Sequence, residues 1–136
     1  MNVAAIIPAA GLGIRMRPEK SGTSRKQFML LAGAPILLHT IRKFVRAPSI
    51  AEIVVALRAE DVSWFRDQLS GAALSKPVHL VVGGEHRQES VRNGLLAVSP
   101  AVDLVAVHDA VRPFVSVELI ERVIVRAAAT GAAIAG

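Results

Sequence analysis

Residues Val3 to Ile7 form five consecutive apolar positions with no polar alternation. A strand wet on one side alternates apolar and polar residues, so an unbroken run reads as a strand covered on both faces. A sheet covered on both faces needs helices above and below it, and the sequence supplies them. Leu37, Ile41, Phe44 and Val45 recur at helical spacing, with Pro35 placed in the first turn and Pro48 closing the segment. Ile53 to Leu57 reads as a second strand, and Val62, Phe65 and Leu69 as a helical stripe ahead of Gly71. Val78 to Val82 is a third strand, stopped by Gly83-Gly84. Val91, Leu95 and Val98 mark a helix closed by Pro100, and Leu104 to Val107 a fourth strand, with Asp103 in the turn before it. Ser116 is a fitting N-cap for a helix carrying Ile120, Val123, Ile124 and Ala127, and Ala132 to Ala135 opens a fifth strand. Met29, Leu30 and Leu31 read as core.

Strands separated by helices imply parallel βαβ units with right-handed crossovers. The expected fold is therefore α/β, a doubly wound and mainly parallel sheet in one domain. The chain has 136 residues, 52% of them hydrophobic and 20% charged, which suits a folded domain of that size. Ligands in such sheets bind beyond the carboxyl ends of the strands. Three chemically distinctive segments fall there: the loop after the first strand, Gly83 to Ser90, and His108 to Pro113. Their convergence predicts one site.

The formal net charge of +5 points to an anionic partner. Four Phe, one Trp and no Tyr leave little to stack bases on, so nucleic acid is not expected. With no cysteine, disulfides, zinc–thiolate sites and a cysteine nucleophile are excluded, and a reducing cytoplasmic setting is expected. The N-terminus lacks a cationic segment ahead of its apolar run, and no apolar stretch approaches the roughly 20 residues of a membrane span, so no membrane partner is expected.

The first loop begins at Pro8 and continues Ala9-Ala10-Gly11-Leu12-Gly13-Ile14-Arg15-Met16. Glycine lets backbone N–H groups approach phosphate without a Cβ in the way. The loop is neither a Walker A sequence nor a full dinucleotide fingerprint, since Met16 stands where a third glycine belongs. It does hold Arg15, Arg17, Lys20, Arg25 and Lys26 against one acid, Glu19. The second segment reads either as a strand-to-helix turn with a polar first helical turn or as exposed amides and Ser90 that meet a base edge, although Ser90 and Glu85 do not select one base. In the third, Asp109 can help hold hydrated Mg²⁺, and Arg112 can grip phosphate bidentately. A local Asp109–Arg112 ion pair accounts for the same spacing. His108 is read as a packing or hydrogen-bonding residue, and His39 and His79 as core or surface residues without a metal.

These segments, together with Lys26-Gln27-Phe28, Gly33-Ala34-Pro35, His39-Thr40 and His108-Asp109-Ala110-Val111-Arg112-Pro113, resemble the 2-C-methyl-D-erythritol 4-phosphate cytidylyltransferases over nearly the whole chain. The resemblance implies a Rossmann-like nucleotidyltransferase fold, one domain over 1–136, and transfer of CMP from CTP to methylerythritol phosphate with release of pyrophosphate. It assigns catalysis to Arg15 and Lys26. It assigns nucleotide binding to Pro8, Ala9, Ala10, Gly11, Leu12, Gly13, Gly84, Glu85, Arg87 and Ser90, and acceptor binding to Asp109 and Arg112. Mg²⁺ is expected on the triphosphate, with Asp109 as its only candidate protein ligand. Arg25 stands where the family has proline, Glu85 replaces a common Asp, and Val111 a common Ala. Family members continue well past residue 136, so this sequence is expected to stop within a strand, and the homodimer expected of the family needs the missing portion. Alternatives are a related enzyme such as a ribitol 5-phosphate cytidylyltransferase, or a nucleotide-binding fragment without turnover. A Rossmann oxidoreductase fits less well, for want of an acid at the end of the second strand.

Overall fold

The computed structural model describes residues 1–11 and 26–133, and within them the long apolar runs build one four-stranded parallel sheet. Strand β1 is Val3–Pro8, followed by a 3₁₀ turn over Lys26–Phe28 and two short strands, β2 (Leu30–Leu31) and β3 (Ala34–Pro35). Then come α1 (Ile36–Arg46), β4 (Ile50–Leu57), α2 (Ala59–Ser70), β5 (Val78–Val82), α3 (Arg87–Ala97), β6 (Leu104–Val107) and α4 (Val117–Thr130). The sheet order is β5-β4-β1-β6, so the first strand of the chain lies in its interior. Ile6 stands opposite Val54 on one side and Val107 on the other. The doubly wound parallel sheet expected from the sequence is what forms.

The two faces of β1 are covered differently. Val3, Ala5 and Ile7 join Leu37, Ile41 and Phe44 of α1, Phe65 of α2, and Ile120 and Ile124 of α4 in one buried cluster. The opposite face carries Ile6, which meets α3 at Gly94, where an added Cβ would lie 2.8 Å from Ile6 Cγ2. All five residues from Val3 to Ile7 are fully buried.

Several elements differ from the sequence reading. Helix α3 exists where expected, but it packs through Ser90 and Gly94, while Leu95 and Leu96 are exposed. Close approach of the helix to β1 requires small residues, and this outweighs the apolar stripe. Strand β4 begins at Ile50, three residues earlier than the apolar run suggested. Glu52 interrupts that run and is nevertheless buried, because its carboxylate accepts the Ser99 N–H at 3.3 Å and lies 3.9 Å from His79 Nε2. Met29 and Leu30 are not core: they are 46% and 71% exposed. Leu30 and Leu31 instead form a hairpin with Ala34 and Pro35. Both residues of its turn have positive φ, 51° at Ala32 and 83° at Gly33, as a two-residue hairpin turn demands. The His39 ring hydrogen-bonds the Leu31 carbonyl and ties this hairpin to α1. Pro35 occupies the N-cap position of α1.

The Ser116 hydroxyl accepts the Leu119 N–H at 3.0 Å, as expected of an N-cap, and α4 ends at Gly131 with φ 91°. Asp103 accepts the Asn2 N–H at 2.9 Å in the turn before β6. Of the expected fifth strand, Ala132 and Ala133 are not in a strand, and 134–136 lie outside the described residues. Among the described residues, no helix is long and apolar enough to cross a membrane.

Gly94→Ala is expected to destabilise the domain by about 1–3 kcal/mol, the usual range for an added methyl that forces a packed core apart. Leu96→Ala, at a position 77% exposed, is expected to stay within about 0.5 kcal/mol. Urea unfolding of the two variants beside the parent checks both.

Candidate active site

The described parts of the first two predicted segments meet at the carboxyl ends of β1 and β5, and the third leaves β6, the neighbour of β1 on its other edge. At the first, the Ala9 N–H bonds Ala56 O at 2.7 Å, which carries the β1–β4 ladder one residue past Pro8. Ala9 and Ala10 are 3% and 4% exposed, so their side chains face protein. With its N–H spent on Ala56, Ala9 has only its carbonyl left for a ligand. That carbonyl and the one of Gly11 both accept from Gln27 Nε2, at 2.9 Å and 3.1 Å. The next residue, Phe28, sits edge-on to Trp64 at 5.1 Å between ring centres and 6.2 Å from Phe65. The 3₁₀ turn that begins at Lys26 is thereby held on both sides. Leu12, Gly13, Arg15 and the Lys26 side chain lie outside what the structure describes.

The second segment touches the first. Gly83 N bonds Leu57 O at 2.7 Å, and an added Cβ on Gly83 would fall 2.7 Å from the Ala10 methyl and 2.5 Å from Ser90 Oγ. Glycine is required here by close approach. Ser90 is 2% exposed, and its hydroxyl accepts the Gly84 N–H at 3.2 Å, which leaves its own hydrogen to donate. Glu85 and Arg87 are exposed. Helix α3 has no side-chain cap at His86, and of its first-turn N–H groups that of Glu89 bonds the His86 carbonyl at 3.1 Å, which leaves those of Arg87 and Gln88 to meet an anion.

In the third segment, His108 N bonds Ile6 O at 3.0 Å, which continues the β1–β6 pairing. The His108 ring packs 5.1 Å from Phe44, and its Nε2 lies 3.1 Å from Arg112 O, the packing and hydrogen-bonding role expected of it. Asp109 Oδ1 accepts the Val111 N–H at 3.0 Å, and its other oxygen lies 3.6 Å from Arg112 Nε. The local ion pair is therefore present, with the Arg112 side chain 75% exposed and free to turn toward an anion. Thr40, fully buried on α1, donates to Ala110 O at 2.9 Å and holds this turn against the helix.

The turn also forms the polar end of a cavity of about 930 Å³, where His108, Asp109 and Arg112 join apolar residues of β6 and α4. Ala9, Ala10, Gly84 and Ser90 do not line it. Among the described residues, no three carboxylates or histidines are grouped to hold a metal. Sequence reading missed Gln27 and Thr40: each acts on a carbonyl distant in sequence, and no spacing rule reports such a contact.

A family model described as 2-C-methyl-D-erythritol 4-phosphate cytidylyltransferase matches residues 3–136. The chain belongs to that family. The 2-C-methyl-D-erythritol 4-phosphate cytidylyltransferase of Solibacter usitatus is 55% identical over all of this chain, and that of Acidobacterium capsulatum 40%. The chain spans 57% and 58% of those two proteins. The 4-diphosphocytidyl-2C-methyl-D-erythritol synthase structure from Anaerococcus prevotii superposes with a TM-score of 0.75 at 31% identity, covering 91% of this chain and 49% of that one. The chain thus spans about half the length of each of these relatives.

Thr40→Val is expected to cost about 1–3 kcal/mol, because it leaves the Ala110 carbonyl without its buried donor. Thr40→Ser keeps the hydroxyl and should recover most of that loss. Thermal unfolding of the pair measures it.

Proposed function

We propose that this chain is the nucleotide-binding portion of an enzyme that transfers CMP from CTP to 2-C-methyl-D-erythritol 4-phosphate, releasing pyrophosphate and forming 4-diphosphocytidyl-2-C-methyl-D-erythritol. The observation that carries the reading is the family match over residues 3–136. The meeting of Ala10, Gly83 and Ser90 beside the turn that starts at Lys26 supports it.

The chemistry follows from charge. A phosphate oxygen of the acceptor attacks the α-phosphorus of CTP; the new P–O bond forms as the bond to the β-phosphate oxygen breaks, and pyrophosphate leaves with the electron pair. Both reactants are anions, so the barrier is largely repulsion plus the charge that gathers on the leaving group. Arg15 and Lys26 are the cations assigned to offset that charge, and neither needs to move a proton. Arg112 holds the acceptor phosphate and Asp109 orients Arg112. Ser90 donates its remaining hydrogen to the base, next to Gly84, Glu85 and Arg87, and the chain from Pro8 to Gly13 lines the nucleotide. Mg²⁺ on the triphosphate, with Asp109 within its hydration shell, would supply further charge neutralisation. A homodimer and a cytoplasmic setting complete the proposal on the strength of the same resemblance.

Pyrophosphate release from the full-length gene product, given CTP and methylerythritol phosphate, tests the reading. Product with ribitol 5-phosphate alone, or with another nucleotide alone, would replace it by a related transferase. Binding of CTP without turnover would reduce it to a nucleotide-binding role. Lys26→Ala and Arg15→Ala are each expected to lower kcat by about 10²–10³, the range for loss of one preorganised charge-stabilising contact.

A further inference from the structure

We propose that Gln27 is a positioning residue: its carboxamide fastens the Lys26 turn to the mouth of β1 and so fixes where that lysine enters the site. The inference rests on the function proposed above for what Lys26 does, and on the structure for how the turn is held.

Gln27 is 5% exposed and lies in no apolar stripe. A buried carboxamide is costly unless its hydrogens find acceptors. Its Nε2 carries two hydrogens, and two carbonyls take them, Ala9 O at 2.9 Å and Gly11 O at 3.1 Å. Ala9 is itself anchored, since its N–H is bonded to Ala56 O at 2.7 Å. A continuous path of hydrogen bonds therefore runs from the interior strand β4, through the end of β1, to the residue beside Lys26. On the other side of the turn, Phe28 is seated against Trp64 and Phe65. The two contacts do different work. The aromatic seat supplies burial, which tolerates sliding. The carboxamide supplies direction, because two acceptors fix both its distance and its plane.

This arrangement places the closing end of the loop on its opening end, and ties both to the sheet. Transition-state stabilisation by a fixed cation depends on its being held in place before the reaction, and displacements near 1 Å cost about 10²-fold. Asparagine is one methylene too short to span the same carbonyls. Glutamate keeps the shape and loses the donors.

The test uses Gln27→Met and Gln27→Glu in the full-length gene product with CTP, methylerythritol phosphate and Mg²⁺. Both variants should lose at least tenfold in kcat, with KM for CTP changed less than threefold. Gln27→Glu should recover relative to the parent as pH falls, because a protonated carboxyl donates one of the two lost hydrogen bonds, whereas Gln27→Met should not. Trp64 touches Phe28, so the part of the acrylamide quenching that a Trp64→Phe control removes from the full-length protein reports the seat of the turn independently of turnover. Quenching should rise in both variants at neutral pH. Parental kcat in a folded variant, even a less stable one, would overturn the proposal and leave Gln27 a stability residue. Unchanged quenching would overturn the fastening itself. A parent protein that releases no pyrophosphate would refute the proposed function and the catalytic half of this inference, while the quenching result would still decide the fastening.

Discussion

The pairing of β1 on both edges, combined with its burial on both faces, sets the position of every other functional part. Its neighbours β4 and β6 do not stop where β1 stops: Ala9 extends the ladder to Ala56, and Ile6 accepts from His108. Each extension carries the start of one of the segments singled out in the sequence, so the end of one strand fixes two of them. The third reaches the same place through contact, because Gly83 lies against the Ala10 methyl. Segments anchored this way inherit the rigidity of the sheet, which is the condition for electrostatic preorganisation.

The internal bonding also changes how the glycines are understood. Glycine pairs near phosphate suggest amides aimed at oxygen, but here the N–H groups of Ala9, Gly83 and Gly84 are bound to Ala56, Leu57 and Ser90. What Gly83 contributes is space: it lets Ala10 and Ser90 come together. Donors that can face an anion include the exposed side chains of Arg87 and Arg112. The exposed guanidinium of Arg112, 3.6 Å from Asp109, offers paired N–H donors of a geometry that suits a phosphate.

Much of this was legible in the sequence. The unbroken run from Val3 to Ile7 announced a two-face-buried strand, and the alternating patterns announced parallel crossovers. Ser116 announced its cap. What failed, failed where tertiary fit outweighed pattern. Leu95 lies on the apolar stripe of α3, yet the helix turns its small residues inward because β1 is too close for leucine. Glu52 looked like the boundary of a strand, yet it is buried within one because Ser99 supplies a donor from 47 residues away. Leu30 looked like core, yet a hairpin places it outside. In the site, the residue types were readable, since cations and glycines declare themselves. The residues that hold them, Gln27 and Thr40, were not, because their partners are backbone carbonyls whose positions exist only in the fold.

The interior position of β1 has a consequence for how the chain comes together in time. Asn2 donates to Asp103 across a separation of 101 residues, and Val3 pairs with Leu104. Strand β1 therefore waits for a segment about 100 residues further along before its second edge is closed. Contacts of such span are slow to form, since the connecting segment must be ordered first. In the interval, β1 can pair with β4, but the face and edge that become the site's foundation stay open. The carboxyl end of this sheet is consequently completed late relative to the β1–β4 pairing, even though β1 precedes every other strand described.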